Sequence, residues 1–222
     1  MSSNMAMGMF PGAPRNPWSY QKVEQVDRDI STAWLTLEEI TQQLNLFDDE
    51  SQDSYLTGLE LATRMAIEDY IGMSILPVSY KVYYGATNNS MGMQTALDLP
   101  EVSQDGAFTG VTIDEVGFWN NDQPPVFVPL DETAYFYDPT GNKVIINALP
   151  NNINTVMTNP VVLSYTLEAN PIGAYPVIKQ AGLLLLTHLY NNRSDTVAGN
   201  IGLASIPFGV AQLLRPYKPL VL

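Results

Sequence analysis

The spacing of hydrophobic residues changes twice along the chain, and the two changes divide it into three parts. In the first part, Thr36 and Glu39 form a capping box at the start of a short predicted helix over 35–45. Ile40 lies on the apolar face of this helix, where residues three and four positions apart meet. We therefore predict that the N-terminal part is helical and that Ile40 belongs to its core.

A second predicted helix follows and carries a regular apolar stripe. The acidic residues within 48–52 suit the positive end of a helix dipole, with Asp49 as the cap and Gln52 as its partner. Gly72 followed by Pro77 is typical of a helix end. Apolar residues recur between these limits at spacings of three or four, which predicts a core face. The residues of this face are Tyr55, Leu59, Ala62, Ala66 and Tyr70.

The middle of the chain has the alternating pattern of half-buried strands. Residues 78–84 alternate apolar and polar side chains, and residues 138–142 contain Pro and Gly where a turn needs them. The stretch 85–95 is rich in Gly, Asn and Ser and is expected to be a loop. This part is therefore predicted to be mostly antiparallel β. The further strand candidates are 111–113, 126–128, 135–137, 144–146 and 161–165.

Helical spacing returns at Pro176, which suits the first turn of a helix. The apolar residues of this third predicted helix cover more than one face, so we expect it to be central, with Leu185 and Leu189 in the core. Residues 194–206 are expected to be a loop, and 210–214 a last short helix.

These patterns predict an α+β protein with extended terminal arms. Its core is a small helical bundle built from N- and C-terminal helices, because neither helical part could bury its stripe alone. An antiparallel β-rich domain is inserted between them. The predicted divisions are 1–30, an N-terminal arm; 31–76, the first part of the helical core; 77–174, the β-rich insertion; 175–213, the second part of the helical core; and 214–222, a C-terminal tail.

The N-terminal arm contains large aromatic side chains that a free tail would not need. Trp18 and Tyr20 lie among Met and Pro residues with little periodicity. Two interpretations stay open: these rings dock on the body of the same chain, or they meet a partner.

Composition removes several classes of function. The chain has 222 residues, of which 45% are hydrophobic and 15% charged, so it is expected to fold. It contains no Cys and one His, which excludes disulfides, thiolate metal sites and sites with several His ligands. No metal and no cofactor are expected. The net charge of −13 disfavours a general nucleic-acid footprint.

The charge is unevenly distributed. Residues 29–76 contain ten acidic residues and one basic residue, whereas 175–222 contain one acidic and four basic residues. An acidic front and a basic end could attract each other within or between subunits. The alternative is a solvated acidic surface. Because Met1 to Phe10 lack a basic and apolar export pattern, and no apolar run is long enough to cross a bilayer, we expect folding in a cytoplasm without membrane contact.

Catalytic motifs are not found in the sequence. It contains no phosphate-binding glycine motif of the P-loop or dinucleotide type. His188 could in principle form a triad with a Ser and Asp195, but no nucleophile elbow supports this. A lone His on a mostly apolar helix is more often a hydrogen-bonded core or interface residue. We therefore predict that the chain is not an enzyme.

Three stretches of the chain form a characteristic series. The first runs from Leu35 to Gly72, with a short helix, an acidic turn and a helix that ends in an acidic, aromatic, apolar and Gly run. The second is 75–77, which leads into a strand, and the third is 176–193 followed by 213–217. In this order and spacing they resemble the phage head-to-tail connector family, also called adaptor or head-completion proteins.

The resemblance implies a structural virion protein at the head-to-tail interface, assembled in the host cytoplasm. Its subunits would form a ring, twelve-fold in the virion, that docks beneath the portal, extends the DNA channel and carries tail or nozzle proteins. Double-stranded DNA would pass through the lumen without sequence-specific binding. By the same resemblance, the terminal arms reach into the portal or a neighbouring subunit. The residues implied in these contacts are Trp18, Tyr20, Leu214, Arg215, Pro216, Tyr217, Lys218 and Leu220.

Two other classes of function stay open at this stage. One is a β module for a small ligand or carbohydrate, serving a tail or host-recognition component, which would need a concave aromatic pocket within 77–170. The other is a hydrolase, which would need a Ser or acidic group within about 3 Å of His188.

Overall fold

The computed structural model describes residues 20–46, 50–85, 94–103, 108–193 and 207–218. The chain forms two compact units. Of the described residues, the β-rich unit comprises 20–26, 79–85, 94–100 and 112–166, and the helical unit comprises 27–46, 50–78, 101–103, 108–111, 167–193 and 207–218.

The fold is α+β, as predicted. The helices are α1 (Leu37–Leu44), α2 (Asp53–Ile71), α3 (Pro176–Asn191) and α4 (Phe208–Leu214). The strands are β1 (Tyr20–Arg28), β2 (Val78–Tyr84), β3 (Thr95–Asp98), β4 (Val111–Trp119), β5 (Phe127–Pro129), β6 (Tyr135–Asp138), β7 (Lys143–Ile146) and β8 (Val161–Leu167). Each of the six predicted strands overlaps an observed one.

The strands form two sheets. The larger has the order β1-β2-β8-β4-β5, and the smaller is antiparallel with the order β3-β7-β6. The predicted turn at 138–142 joins β6 to β7, and the Asp138 side chain accepts from the Thr140 backbone N–H at 2.9 Å. The first and last strands of the insertion, β2 and β8, are neighbours, and the hydroxyls of Ser79 and Thr166 lie 2.8 Å apart.

Two strands were not predicted. β1 falls within the segment 1–30, so the interpretation of that whole segment as an arm is wrong for Tyr20–Arg28. β1 is an edge strand rich in polar residues, and an edge strand shows little of the apolar alternation that identifies a strand in sequence. β3 begins at Thr95, at the end of the predicted loop, and residues 86–93 of that loop lie outside the described residues.

The helical unit encloses the apolar core that the bundle prediction required. The capping box of α1 is present, since Thr36 accepts from the Glu39 backbone N–H and the Glu39 side chain accepts from the Thr36 backbone N–H. Ile40 is 0% exposed and Leu185 is 4% exposed. The indole N–H of Trp34 donates to the Gly173 carbonyl at 2.7 Å, which fixes this ring beside α3.

The apolar stripe predicted on α2 does not match the buried face. Ala62 is exposed, so its assignment to the core is wrong, and Tyr55 is 40% exposed. Leu59, Ala66 and Tyr70 of α2, and Leu189 of α3, are half-buried at the edge of the core. The face that is buried contains Leu56, Glu60, Thr63, Arg64, Ile67, Glu68 and Ile71.

The difference has a physical cause in three charged residues, Glu60, Arg64 and Glu68, which we call the charge ladder. They follow one another every four residues and therefore share one helix face. Their exposed fractions are only 3%, 1% and 4%. A sequence pattern assigns charged residues to the solvent side, and this shifts the predicted stripe around the helix.

The first two members of the charge ladder bind backbone groups of the preceding segment. Oε1 of Glu60 accepts from the backbone N–H groups of Trp34 at 3.0 Å and Leu35 at 3.2 Å. The Arg64 guanidinium donates to the carbonyl of Asp29 at 2.7 Å. These bonds offset the desolvation of the charges and hold the chain that precedes α1.

Glu68 closes the other end of the ladder. Its Oε1 accepts from the Ile75 backbone N–H at 2.7 Å and from the Ser74 hydroxyl at 3.2 Å. Its Oε2 forms a salt bridge with Arg28, whose side chain is 15% exposed. Glu68 therefore joins the end of β1 to the turn that follows α2.

Replacing Glu68 tests the ladder. We expect Glu68→Ala to lower the free energy of unfolding by about 3–5 kcal/mol, because it leaves Arg28 without its buried partner. Asp69→Ala is the matched control, since Asp69 is the next residue of the same helix and is exposed. The control should change stability by no more than about 0.5 kcal/mol. Chemical denaturation measures both, and equal effects would contradict the role assigned to Glu68.

Substitution of Gly182 tests the packing of Trp34, and substitution of Gly58 is the control. A Cβ on Gly182 of α3 would lie 2.7 Å from the Trp34 ring, whereas a Cβ on Gly58 of α2 meets nothing within 4 Å. We expect Gly182→Ala to destabilise the protein by about 1–3 kcal/mol through overpacking. Gly58→Ala should stabilise it by about 0.5–1 kcal/mol. A melting series compares the two, and a neutral Gly182→Ala would show that the Trp34 contact is loose.

Candidate functional site

The C-terminal segment contains most of the residues predicted to contact the portal or a neighbouring subunit. Residues of α4 continue into a short 3₁₀ turn, Arg215–Tyr217. Val210 and Leu214 of α4 are four positions apart and 2% and 0% exposed, because both face the helical core. The prediction that the free tail begins at Leu214 is therefore wrong, and Leu214 is a core residue.

Aromatic contacts hold the next residues against the helical unit. The Tyr217 and Tyr175 rings meet edge to face with centroids 6.1 Å apart. The Lys218 ammonium lies 4.1 Å from the centroid of the Tyr70 ring. Of the predicted contact residues, Arg215 and Pro216 are exposed and Tyr217 is half-buried.

Of the remaining predicted contact residues, only Tyr20 lies within the described part of the chain. Tyr20 begins β1, which makes it part of a sheet edge. Trp18 and Leu220 lie outside the described residues. Four of the predicted contact residues are therefore described as one continuous segment, 215–218.

Several cations are paired with carboxylates of their own unit. Lys179 of α3 donates to Glu39 of α1 at 2.7 Å, and Lys143 of β7 to Asp98 of β3 at 2.7 Å. The bond from Lys179 and the cap bond from Thr36 hold the pKa of the Glu39 carboxyl below its usual value. A carboxyl with a lowered pKa stabilises the fold above its unfolded pKa, and that stabilisation is lost as the pH falls through the lower value.

Arg193 is fixed by contacts with aromatic and amide side chains, and the sequence pattern did not identify it as a site residue. Its guanidinium carbon lies 4.5 Å from the centroid of the Tyr55 ring and 4.6 Å from that of Tyr190. It also donates to Gln52 at 2.9 Å. Tyr190 and Arg193 are three positions apart at the end of α3, but the contact with Tyr55 and Gln52 needs the tertiary fold.

Carboxylates of the β-rich unit surround one phenol. Burial raises the pKa of Tyr135, and the negative charges of Glu132, Glu115 and Asp131 raise it further. The three carboxylates are exposed.

Among the described residues, His188 has no catalytic partner within hydrogen-bond distance. His188 is exposed and bonds only to Asn192, whose amide nitrogen lies 2.7 Å from its carbonyl and 3.4 Å from its Nδ1. Asp195, the other candidate for a triad, lies outside the described residues. Within the described part of the chain, no three His, Asp or Glu side chains are grouped as metal ligands.

The stacked aromatic residues of the β-rich unit are core residues. Tyr80 and Tyr165 stack with centroids 5.4 Å apart and are 1% and 0% exposed. A ring that stacks on a sugar must be open to solvent, and these two are not. Among the helices of the described ranges, none is long and apolar enough to span a bilayer.

Comparison with solved structures shows the fold. The chain is similar to one described as "Neck of empty GTA particle computed with C6 symmetry", with a TM-score of 0.60, 21% identity, and coverage of 90% of this chain and 97% of that one. It is also similar to a chain in "Virion of native gene transfer agent (GTA) particle", with a TM-score of 0.57, 20% identity, and coverage of 90% and 96%. No protein-family model and no curated protein matches the chain.

Substitution of Leu214 and of its neighbour Arg215 tests which side of this segment is buried and which is exposed. We expect Leu214→Ala to lower the free energy of unfolding by about 2–5 kcal/mol, because it leaves a cavity beside α3. Arg215→Ala, at an exposed position, should change it by no more than about 0.5 kcal/mol. Chemical denaturation of both variants is the measurement. A fully stable Leu214→Ala variant would restore the free-tail interpretation.

Proposed function

We propose that this chain is a structural virion protein of the neck. The observation that carries the proposal is the similarity of fold to chains from gene transfer agent particles, which extends over 90% of this chain and 97% of a neck chain. The order of helices and strands in the sequence resembles head-to-tail connectors independently of that comparison. Both lines of reasoning favour a location at the head-to-tail interface of a phage-like particle.

The finer role that we infer is that of an adaptor ring. Twelve copies would dock beneath the portal at the capsid vertex, extend the DNA channel and provide the platform for tail or nozzle proteins. A cyclic assembly fits the symmetry reported for a similar neck chain, "Neck of native GTA particle computed with C12 symmetry", which has a TM-score of 0.56 and 19% identity. Assembly would take place in the host cytoplasm.

The net charge supports passage of DNA without binding. A charge of −13 per subunit repels phosphates, so a lumen of this composition would not hold the duplex as it moves. We infer a conducting role with no sequence-specific contact and no catalytic step.

Contacts with the portal or with neighbouring subunits are assigned to the ends of the chain. We keep Trp18, Tyr20, Arg215, Pro216, Tyr217, Lys218 and Leu220 as candidates and exclude Leu214, which is fully buried. The helical unit would then provide the rigid body and its C-terminal segment one contact surface.

The mass and shape of the purified protein test this function. We expect rings, seen by light scattering and negative-stain imaging, either alone or capping the cognate portal protein. An unrelated acidic protein of similar size serves as the control for non-specific binding to the portal. A chain that stays monomeric and does not bind the portal at any salt concentration would refute the adaptor role.

A further inference from the structure

On the basis of the ring function above, we propose that the outward face of α4 is one half of the contact between neighbouring copies of this chain. This face, which we call the α4 face, consists of Phe208, Gln212 and Arg215. Its occupant is an acidic surface of a second copy.

The three residues of the α4 face point in one direction. Phe208 and Gln212 are four positions apart on α4. Arg215, the residue after α4, keeps right-handed helical backbone angles three positions further on, so all three lie within one stripe. Val210 and Leu214 occupy the opposite side and are buried. The α4 face is therefore turned away from the buried residues of the helical core, and its three side chains are exposed.

Phe208 gives the α4 face its apolar character. It is 79% exposed, which makes it the most exposed aromatic side chain of the described residues. An aromatic ring open to water gains from burial, and aromatic residues and Arg are enriched at the centres of protein interfaces. Single exposed apolar residues are common on protein surfaces and do not by themselves indicate an interface. Here an exposed Phe and an exposed Arg lie on the same stripe.

Arg215 gives the face a charge that its own chain leaves unbalanced. Lys22, Arg28, Lys143 and Lys179 each form a salt bridge with a carboxylate. Arg215 is exposed and forms no such bridge within the described residues, and residues 207–218 contain two basic residues and no acidic one. The C-terminal segment is thus a cationic patch on a strongly acidic chain.

Charge complementarity favours a second copy as the occupant. Each copy has a net charge of −13, so two copies repel unless a cation of one faces carboxylates of the other. In a cyclic ring the contact is heterologous, which means that the α4 face meets a different surface of its neighbour. The exposed carboxylates of Glu115, Asp131 and Glu132, which all act on Tyr135, form one such surface.

The experiment compares ring assembly of the full chain with that of three variants. Arg215→Glu reverses the charge of the α4 face, and Phe208→Ser removes its aromatic ring. Lys22→Glu is the control for net charge, because it changes the charge equally at a side chain that is 57% exposed, and the salt bridge with Glu24 that it removes is a surface pair of little energetic weight. We measure the protein concentration at the midpoint of assembly by light scattering at several salt concentrations, with and without the cognate portal protein. Thermal melting verifies that each variant is folded.

We expect Arg215→Glu and Phe208→Ser each to raise the midpoint concentration about tenfold, as loss of a central interface residue does. The Lys22→Glu control should assemble like the wild type. Wild-type assembly should weaken with salt, and Arg215→Glu should remove part of that dependence.

Normal assembly of both face variants would overturn the proposal while leaving the ring function intact. Normal rings that fail to bind the portal would also overturn it, because the α4 face would then serve the portal. A wild-type chain that forms no ring in any condition would refute the ring function itself, and the proposal with it.

Discussion

Three buried charges on one face of α2 hold the helical unit in its observed form. Glu60, Arg64 and Glu68 are almost fully removed from water, which is costly for each charge taken alone. Backbone N–H and carbonyl groups of the chain before α1, together with Arg28, compensate for the lost hydration. The ladder thus makes α2 depend on a segment that lies about 30 residues earlier in the chain.

The packing of the core follows from that ladder. Glu60 fixes the backbone of Trp34, and this places the indole where it can donate to the Gly173 carbonyl. The ring then occupies the space beside α3 that Gly182 leaves open. In the β-rich unit, β2 and β8 are neighbouring strands of one sheet, although they are far apart in sequence.

The positive charges of this chain are partnered in different ways. Several cations of both units are paired with carboxylates of their own unit, as shown by the pairs Lys179–Glu39 and Lys143–Asp98. Other cations contact aromatic rings, as Arg193 and Lys218 do, and Arg215 faces solvent. An exposed cation without a carboxylate partner, on a strongly acidic chain, can orient the association of two copies.

The sequence by itself determined the α+β class, the capped start of α1, the stop at Gly72 and the six strands, because each depends on local periodicity or turn chemistry. Only the tertiary structure decided which face of α2 is buried and that Tyr20–Arg28 joins a sheet. It also placed Leu214 in the core, although the sequence had assigned this residue to a free tail. Burial of a charge depends on partners distant in sequence, and an edge strand depends on a neighbouring strand. Neither requirement leaves a periodic signal in the residues themselves.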